Sequence, residues 1–243
     1  MPVSEVYNID CMEFMAKMPE KFFDLAIVDP PYGINIGTSV GGGKPFGSEC
    51  RRERVIAPKI YRGFDDSQTP DKKYFNELMR VSKERIIWGG NYFISNLENT
   101  PCMIVWDKDR TGNFADCELA WTSFKSPVRL FRYRWNGLLQ QDMKDKEVRI
   151  HPTHKPVALY KWLLRNYAHP GDKIFDSHMG SQSSRIACYD GGFDYWGCEL
   201  DEDYFRDGCK RFERHRRQLD LFTESQPPHL QPELSTAQYE IFR

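Results

Sequence analysis

The stretch Lys173-Ile-Phe-Asp-Ser-His-Met-Gly180 begins a segment in which strands and helices alternate. The hydrophobic spacing predicts strands over residues 173–176 and 195–199, followed by helices over 183–189 and 203–217 respectively. Alternation of this kind is typical of a parallel sheet covered by helices. The segment therefore predicts an α/β fold, with a glycine turn between the first strand and its helix.

The rest of the chain predicts further elements of the same kind. Asp24-Leu-Ala-Ile-Val-Asp29 is a short apolar run that Pro30-Pro31 must end, which indicates a buried strand. Residues 35–63 are predicted to be an irregular insertion loop, residues 136–150 a short polar connection, and residues 218–243 a loosely held polar tail. The remaining predicted elements are helices over 71–82 and 156–167 and strands over 85–88, 103–106, 119–124 and 128–135.

Composition limits the classes of protein to which the chain can belong. With 243 residues, of which 40% are hydrophobic, it can bury one substantial core. The formal net charge of −1 means that any binding to nucleic acid must depend on local basic patches. The seven cysteines form no Cys-x-x-Cys pair, which favours reduced thiols over disulfides or a metal site. No apolar run is long enough to cross a membrane, so we expect a soluble, cytoplasmic protein.

The glycine turn predicts a ligand site. Gly180 and Ser181 lie between a strand and a helix, where backbone amides of open α/β sheets meet nucleotide-like ligands. Glu199 ends the next strand about 20 residues later, the spacing expected of a carboxylate that binds ribose hydroxyls. The turn lacks a complete G-x-G-x-x-G, and any Rossmann-like protein can show this spacing.

Asp29-Pro30-Pro31-Tyr32 is the most informative motif. The exocyclic amine of a base is a poor nucleophile, because its lone pair is delocalised into the ring. A carboxylate at Asp29 and the carbonyl of Pro30 could accept the two amine protons and return electron density to the nitrogen. Tyr32 offers an aromatic face on which an extruded base can stack. The alternative is a rigid turn that only ends a strand.

His151-Pro-Thr-His-Lys-Pro156 lies just before a predicted helix and about 20 residues ahead of the glycine turn. Taken alone, it is an ordinary loop and helix start. Together, these three motifs resemble the DNA amino-methyltransferases of the permuted class, in which the catalytic half precedes the cofactor half. The resemblance extends over about residues 6–215 and includes Trp88-Gly-Gly-Asn-Tyr-Phe93 as a framework segment.

This resemblance implies a Rossmann-like, doubly wound, mostly parallel sheet of the S-adenosylmethionine-dependent methyltransferase type. It implies one domain over residues 1–217, with a catalytic half over about 1–135, a cofactor half over about 151–217 and a short recognition segment at 136–150. The implied reaction transfers a methyl group from S-adenosylmethionine to N6 of adenine in double-stranded DNA by base flipping. The implied protein is a monomer or a homodimer.

The resemblance also assigns residues to the site. Asp29, Pro30, Pro31 and Tyr32 hold the target base. The residues implied to surround the cofactor are Asp10, Thr153, Lys155, Asp176, Gly180, Ser181 and Glu199.

Where the family's pattern is Asp-Pro-Phe-x-Gly-Ser-Gly-Thr, this chain reads Asp176-Ser-His-Met-Gly-Ser-Gln-Ser183. His178 replaces the aromatic residue and Gln182 replaces the second glycine. A side chain at position 182 could crowd the cofactor or donate a hydrogen bond to it. The interpretation therefore includes a weakened module that binds S-adenosylmethionine and DNA without efficient transfer.

Basic residues in the insertion loop are the candidates for DNA contact. Arg51, Arg52 and Arg54 could neutralise phosphates, although a solvated surface loop explains them equally well. The basic run over residues 210–217 is interpreted mainly as a solvated helix end.

The rival activities follow from the same motifs. N4 of cytosine needs the same two acceptors and the same platform, although Asp at position 29 favours adenine within this family. A nicotinamide dehydrogenase would leave both the Asp29 loop and residues 151–156 unexplained.

Overall fold

The computed structural model describes residues 2–34, 66–109, 115–136 and 139–224. An eight-stranded sheet has the order β1-β10-β9-β2-β3-β5-β4-β6, and a separate two-stranded sheet pairs β7 with β8. The strands are β1 Ser4–Asn8, β2 Phe23–Val28, β3 Ser82–Trp88, β4 Met103–Asp107, β5 Cys117–Thr122, β6 Arg129–Arg132, β7 Trp135–Asn136, β8 Leu139–Gln140, β9 Lys173–Asp176 and β10 Asp194–Glu199. The helices are α1 Cys11–Ala16, α2 Lys72–Val81, α3 Val157–Tyr167, α4 Ser183–Gly191 and α5 Glu202–Glu224.

The sheet is mostly parallel. Strands β1, β10, β9, β2 and β3 run parallel to their neighbours, whereas β5 is antiparallel to both β3 and β4. Parallel strands place their carboxyl ends at one edge of a sheet, which is where ligands bind in open α/β folds. The α/β class predicted from the sequence is therefore confirmed, and β2 and β9 lie side by side at its centre.

Alternation along β2 shows why both faces of the sheet are covered. Leu25 and Ile27 belong to an apolar cluster that includes residues of α3 and α4. Ala26 and Val28 belong to the opposite cluster, which includes residues of α1 and α2. A strand buried on both faces reads as a continuous apolar run, as Leu25–Val28 does. The sheet is thus doubly wound.

Several boundaries differ from those predicted. The strand expected over residues 128–135 is two elements, because Trp135 leaves the large sheet, is buried, and donates from its indole N–H to the carbonyl of His154 at 2.8 Å. Helix α5 continues to Glu224, so residues 218–224 of the predicted tail are helical. Strand β1 and helix α1 were not predicted. Within the described residues, no helix is long and apolar enough to span a membrane.

Candidate active site

The loop after β2 is fixed from two directions. The prolines at positions 30 and 31 stiffen it directly after the strand. Asp66 Oδ1 then accepts hydrogen bonds from the backbone amides of Tyr32, at 2.7 Å, and Gly33, at 3.0 Å. A single carboxylate, distant in sequence, therefore holds the end of the motif in place.

The ring of Tyr32 is held by the segment after β3. Tyr92 stacks on it with the ring centroids 4.9 Å apart and an interplanar angle of 16°. Gly89, which has a φ of +72°, approaches so closely that an added Cβ would lie 2.2 Å from Tyr32 Cε1. The segment Trp88–Phe93, predicted to be part of the framework, thus forms the support of the Tyr32 ring.

Asp29 is the centre of a buried polar cluster. The hydroxyl of Tyr32 donates to Asp29 Oδ1 at 2.5 Å, and the ammonium of Lys155 donates to Asp29 Oδ2. The same ammonium lies 3.3 Å from Glu118 Oε2 on β5. Burial raises the pKa of Asp29, and the charge of Lys155 opposes this shift. Burial disfavours the Lys155 ammonium, but Asp29 and Glu118 outweigh that effect and raise its pKa.

Lys155, which the resemblance assigns to the cofactor side, lines the shared cavity, and its ammonium is bound to the Asp29 loop. A cation with a side chain only 4% exposed requires an anionic partner, and Asp29 and Glu118 provide two. Thr153 lies nearby in the cavity wall, where its hydroxyl is hydrogen-bonded to His151 Nδ1 at 2.9 Å.

The glycine turn after β9 is organised by Glu199. Gly180, with a φ of +46°, donates its N–H to Glu199 Oε2 at 2.9 Å, and the amide of Asp201 donates to Glu199 Oε1 at 3.0 Å. Burial raises the pKa of Glu199, and these amides oppose the shift. Each carboxylate oxygen retains a further lone pair, so Glu199 can still accept from ligand hydroxyls.

Asp176, which the resemblance assigns to the cofactor, is not among the described residues that line the cavity. Its side chain is buried, and it accepts a hydrogen bond from the Ser184 hydroxyl at 2.6 Å and one from the His178 amide at 3.1 Å. Burial raises its pKa to about 7. These two hydrogen bonds tie the carboxyl group to the glycine turn and to the start of α4.

The residue that replaces the family's second glycine points away from the cavity. Gln182 is completely buried, donates to the carbonyl of Phe205 at 3.2 Å and accepts from Arg185 Nη1 at 3.0 Å. Its backbone has a φ of +59°, the left-handed conformation that glycine adopts most easily. Of the two possibilities raised by the sequence, crowding the cofactor or donating to it, neither is seen, because the side chain packs towards α5. His178 does line the cavity, and burial lowers its pKa to about 4.

Both motif loops open into one cavity of about 340 Å³. It lies at the carboxyl ends of β2, β9 and β10. Every sequence-predicted site residue within the described ranges lines it, except Asp176. Asp10, which caps α1 by accepting from the Met12 amide at 2.6 Å, also lines it. The predicted residues that line the cavity are Asp10, Asp29, Pro30, Pro31, Tyr32, Thr153, Lys155, Gly180, Ser181 and Glu199. Arg51, Arg52 and Arg54 lie outside the described residues.

The segment at 136–150 is tied to the glycine turn. Arg211 of α5 donates to Glu147 Oε2 at 2.6 Å and to the carbonyl of Ser181 at 2.7 Å. Glu147 Oε1 also accepts from the Val157 amide at the start of α3, at 3.0 Å. The interpretation of residues 210–217 as a solvated helix end is therefore wrong for Arg211, whose side chain is only 12% exposed.

Residues 87–210 match the family described as DNA methylase (N6_N4_Mtase), which is half of the chain. The chain belongs to this family. It is thus an enzyme of the DNA N6/N4 methyltransferase type, as the motifs implied, and its substrate is DNA.

Relatives of this DNA methylase match along most of their length. The methylase YubD of Escherichia coli K12 is 25% identical over 224 residues, which are 86% of this chain and 90% of YubD. The DNA adenine methyltransferase YhdJ of the same organism is 22% identical over 250 residues, covering 84% of this chain and 81% of YhdJ.

Solved structures show the same fold. The complex of M1.HpyAVI with S-adenosylmethionine superimposes with a TM-score of 0.51 and 19% identity, covering 85% of this chain and 98% of that one. The PvuII DNA methyltransferase, named as cytosine-N4-specific, gives a TM-score of 0.55 at 11% identity, with 93% and 95% covered. The Rossmann-like methyltransferase fold implied by the motifs is thereby confirmed.

The cavity fits the family's cofactor, S-adenosylmethionine. Its volume lies in the range of about 300–1,000 Å³ that is usual for cofactor sites. Glu199 lies at the end of β10, where a carboxylate can accept from ribose hydroxyls, and Gly180 leaves room for close approach along the turn. The residues that would hold the cofactor are Asp10, Gly180, Ser181 and Glu199.

Sequence reasoning missed three side chains that organise this site. Asp66 and Glu118 are single carboxylates in segments without a motif, and Arg211 lies in a run of basic residues. Each becomes recognisable only when the fold places it beside a motif residue. The one available signal was Glu118, an ionisable residue in an otherwise largely apolar strand.

Proposed function

We propose that this DNA methylase transfers a methyl group from S-adenosylmethionine to N6 of adenine in double-stranded DNA, acting on a base turned out of the helix, as a monomer or homodimer. The observation that carries the proposal is that Asp29-Pro-Pro-Tyr32, the glycine turn at Gly180 and the carboxylate of Glu199 all line one cavity. A base-activating loop and a cofactor turn have to share such a space for direct transfer.

Asp29 and Pro30 activate the amine in this proposal. The Asp29 carboxylate has about four lone-pair sites, of which Lys155 and the Tyr32 hydroxyl use two, so it can accept an amine proton as well. The carbonyl of Pro30, in the cavity wall, accepts the second amine proton. Acceptors aimed at the amine in this way stabilise the positive charge that develops on nitrogen.

Tyr32 is the platform for the base. Its ring is fixed by Tyr92 and by the backbone at Gly89, so it offers a rigid aromatic surface. Stacking on such a surface contributes about 1–3 kcal/mol per base, which offsets part of the free energy needed to unstack the base from DNA. When bound, S-adenosylmethionine supplies an electrophilic methyl carbon.

Two observations support adenine as the target base. The motif begins with Asp29, which favours adenine in the family that the motifs resemble. In addition, the relative YhdJ, matched over 84% of this chain, is named a DNA adenine methyltransferase. The PvuII enzyme, named cytosine-N4-specific, shares the fold, so N4 of cytosine is the second candidate.

Transfer of a labelled methyl group to unmethylated genomic DNA tests the proposal. The purified protein is incubated with methyl-labelled S-adenosylmethionine and duplex DNA, and the DNA is then digested to nucleosides. We expect the label in N6-methyladenine. Label in N4-methylcytosine would establish the rival activity, and unlabelled DNA would contradict both.

The variant Asp29→Ala tests the role of the carboxylate in the same assay. We expect no detectable transfer, while the cofactor Kd, measured by calorimetry, stays within about threefold of the wild-type value. A thermal melt checks that the variant is folded. Wild-type activity in Asp29→Ala would contradict the assignment.

A further inference from the structure

Asp29 belongs to a compact group of four charged side chains. The Lys155 ammonium is bound to Asp29 Oδ2 and lies 3.3 Å from Glu118 Oε2, and Lys108 pairs with Glu118 Oε1. The exposed fractions of the four side chains range from 4% for Lys155 to 23% for Glu118. Two carboxylates and two ammonium groups give no net charge, which makes burial of the group tolerable.

The two oxygens of Glu118 differ in how they are satisfied. Oε1 is ion-paired with Lys108. Oε2 is buried and, among the described residues, makes no hydrogen bond, although the Lys155 ammonium lies 3.3 Å away. A buried acceptor without a hydrogen bond is unfavourable. Glu118 Oε2 is therefore ion-paired with the Lys155 ammonium without a well-directed hydrogen bond, while that ammonium donates to Asp29.

The position of the ammonium affects what Asp29 can do. The amine of a base must donate to the same carboxylate that Lys155 and the Tyr32 hydroxyl already occupy. If Lys155 had Asp29 as its only anionic partner, moving away would leave both charges buried and uncompensated. Because Glu118 Oε2 also lies 3.3 Å from the ammonium, Lys155 can move off Asp29 without losing its counter-charge.

We propose that Glu118 is a positioning residue that takes the Lys155 ammonium when the amine of the target base engages Asp29. This role rests on the proposed function, since it presumes a base at Asp29. In this proposal, Lys155 and Glu118 act on Asp29 at different stages. Lys155 keeps the Asp29 carboxylate ionised while the cavity is empty, and Glu118 then draws the ammonium away so that Asp29 accepts from the amine at full strength.

The remaining titratable groups around Asp29 do not substitute for Glu118. Tyr74 from α2 and Tyr160 from α3 carry no charge at neutral pH, because burial raises the pKa of each well above 10. Asp176 from β9 already accepts two hydrogen bonds from its own turn.

The variant Glu118→Gln tests the proposal, because it keeps the shape of the side chain and removes its charge. We expect kcat for methyl transfer to fall roughly 10- to 100-fold, the size of effect that follows from a misplaced catalytic group, with the cofactor Kd within about threefold of wild type. Glu118 also raises the pKa of Asp29 through its charge. The acid limb of the profile of kcat/KM against pH should therefore move to lower pH in Glu118→Gln.

Two further variants separate positioning from general damage. Glu118→Asp keeps the charge, so it should retain the wild-type acid limb and a higher kcat than Glu118→Gln. Glu84→Gln removes a carboxylate at the amino end of β3, where Glu84 is bonded to the Ser123 hydroxyl, and it should resemble wild type. A loss of kcat in Glu118→Gln with an unmoved acid limb would indicate a structural lesion and overturn the proposal.

A crystal structure of the wild-type protein with duplex DNA and a non-reactive cofactor analogue is decisive even if Glu118→Gln fails to fold. We expect Lys155 Nζ closer to Glu118 Oε2 than its 3.3 Å in the present structure, and out of hydrogen-bond reach of Asp29 Oδ2. An ammonium still bound to Asp29 beside a seated base would overturn the positioning role. The proposed function and the positioning role of Glu118 fail in different ways. If the wild-type protein transfers no methyl group, both are overturned. If the wild-type protein is active and Glu118→Gln is equally active, only the positioning role is overturned.

Discussion

The ring of Tyr32 packs so closely on the backbone of Gly89 that an added Cβ would lie 2.2 Å from Tyr32 Cε1. The variant Gly89→Ala must therefore displace the ring and also place alanine at a φ of +72°. We expect a loss of stability of about 1–2 kcal/mol from the backbone conformation alone, together with a fall in methyl transfer of roughly 100-fold from the displaced platform. Urea denaturation and the transfer assay measure the two effects.

Gly192→Ala is the matched control for Gly89→Ala. Gly192 has the same φ of +72°, but an added Cβ would meet nothing within 4 Å. It should lose similar stability and keep wild-type activity. Equal activity in the two variants would show that the position of the Tyr32 ring does not matter for transfer.

Arg211 should contribute far more to stability than its sequence context indicates. Arg211→Met leaves Glu147 without its arginine partner and the carbonyl of Ser181 without its donor. Removing one partner of a buried pair costs about 3–5 kcal/mol, and we expect a loss towards the lower end because His154 still contacts Glu147. Urea denaturation of Arg216→Met is the control, since the Arg216 pair with Glu213 is exposed and should contribute about 0.5 kcal/mol or less.

Gln182→Gly should separate stability from cofactor affinity. Glycine relieves the left-handed backbone at position 182, but the variant loses the hydrogen bonds to Arg185 and Phe205. We expect a net loss of about 1–2 kcal/mol in the free energy of unfolding. The Kd for S-adenosylmethionine should stay within about threefold of wild type, because the side chain points away from the cavity. A tenfold change in Kd without a change in stability would place the side chain at the ligand instead.

His178 should make the protein sensitive to acid. Burial lowers its pKa from 6.5 to about 4, so the unfolded state takes up a proton between these values while the folded state does not. Above pH 6.5 the imidazole is neutral in both states, and His178 does not lower the free energy of unfolding. As the pH falls from 6.5 towards 4, proton uptake by the unfolded state lowers that free energy. We expect His178→Phe to match wild type at pH 7 and to exceed it by about 1–2 kcal/mol at pH 5 in urea denaturation. His169→Asn, at a position whose side chain is 88% exposed, should follow the wild-type protein instead.

The sequence was sufficient where a local pattern determines the structure. The strand predicted over residues 173–176 coincides with β9, because a short apolar run between a Pro-Gly turn and a glycine turn leaves little freedom. Helix α2 begins directly after Asp71, whose carboxylate caps it as the pattern of a helix start predicts. Strand β1 was missed because it is a short edge strand with mostly polar, partly exposed residues.

The site was only partly predictable, for a different reason. Asp29 and Tyr32 belong to one local motif, and the sequence placed them together. Lys155, by contrast, is 126 residues away from Asp29 in the sequence and contacts it only in the folded chain. Hydrophobic periodicity carries no information about such a contact. Glu118 and Arg211 likewise depend on strand order and helix packing, which single-sequence patterns do not contain.

The separation of Asp29 from Lys155 by 126 residues has a consequence for synthesis of the chain. On the ribosome, β2 and its carboxylate emerge long before β9, its neighbour in the finished sheet, and before the lysine that neutralises it. Until then, the parts of the cavity wall that come from residues 151–155 and 177–204 are also missing. We therefore expect the Asp29 cluster to form late in synthesis, and a nascent polypeptide that ends before residue 155 lacks the lysine of this cluster.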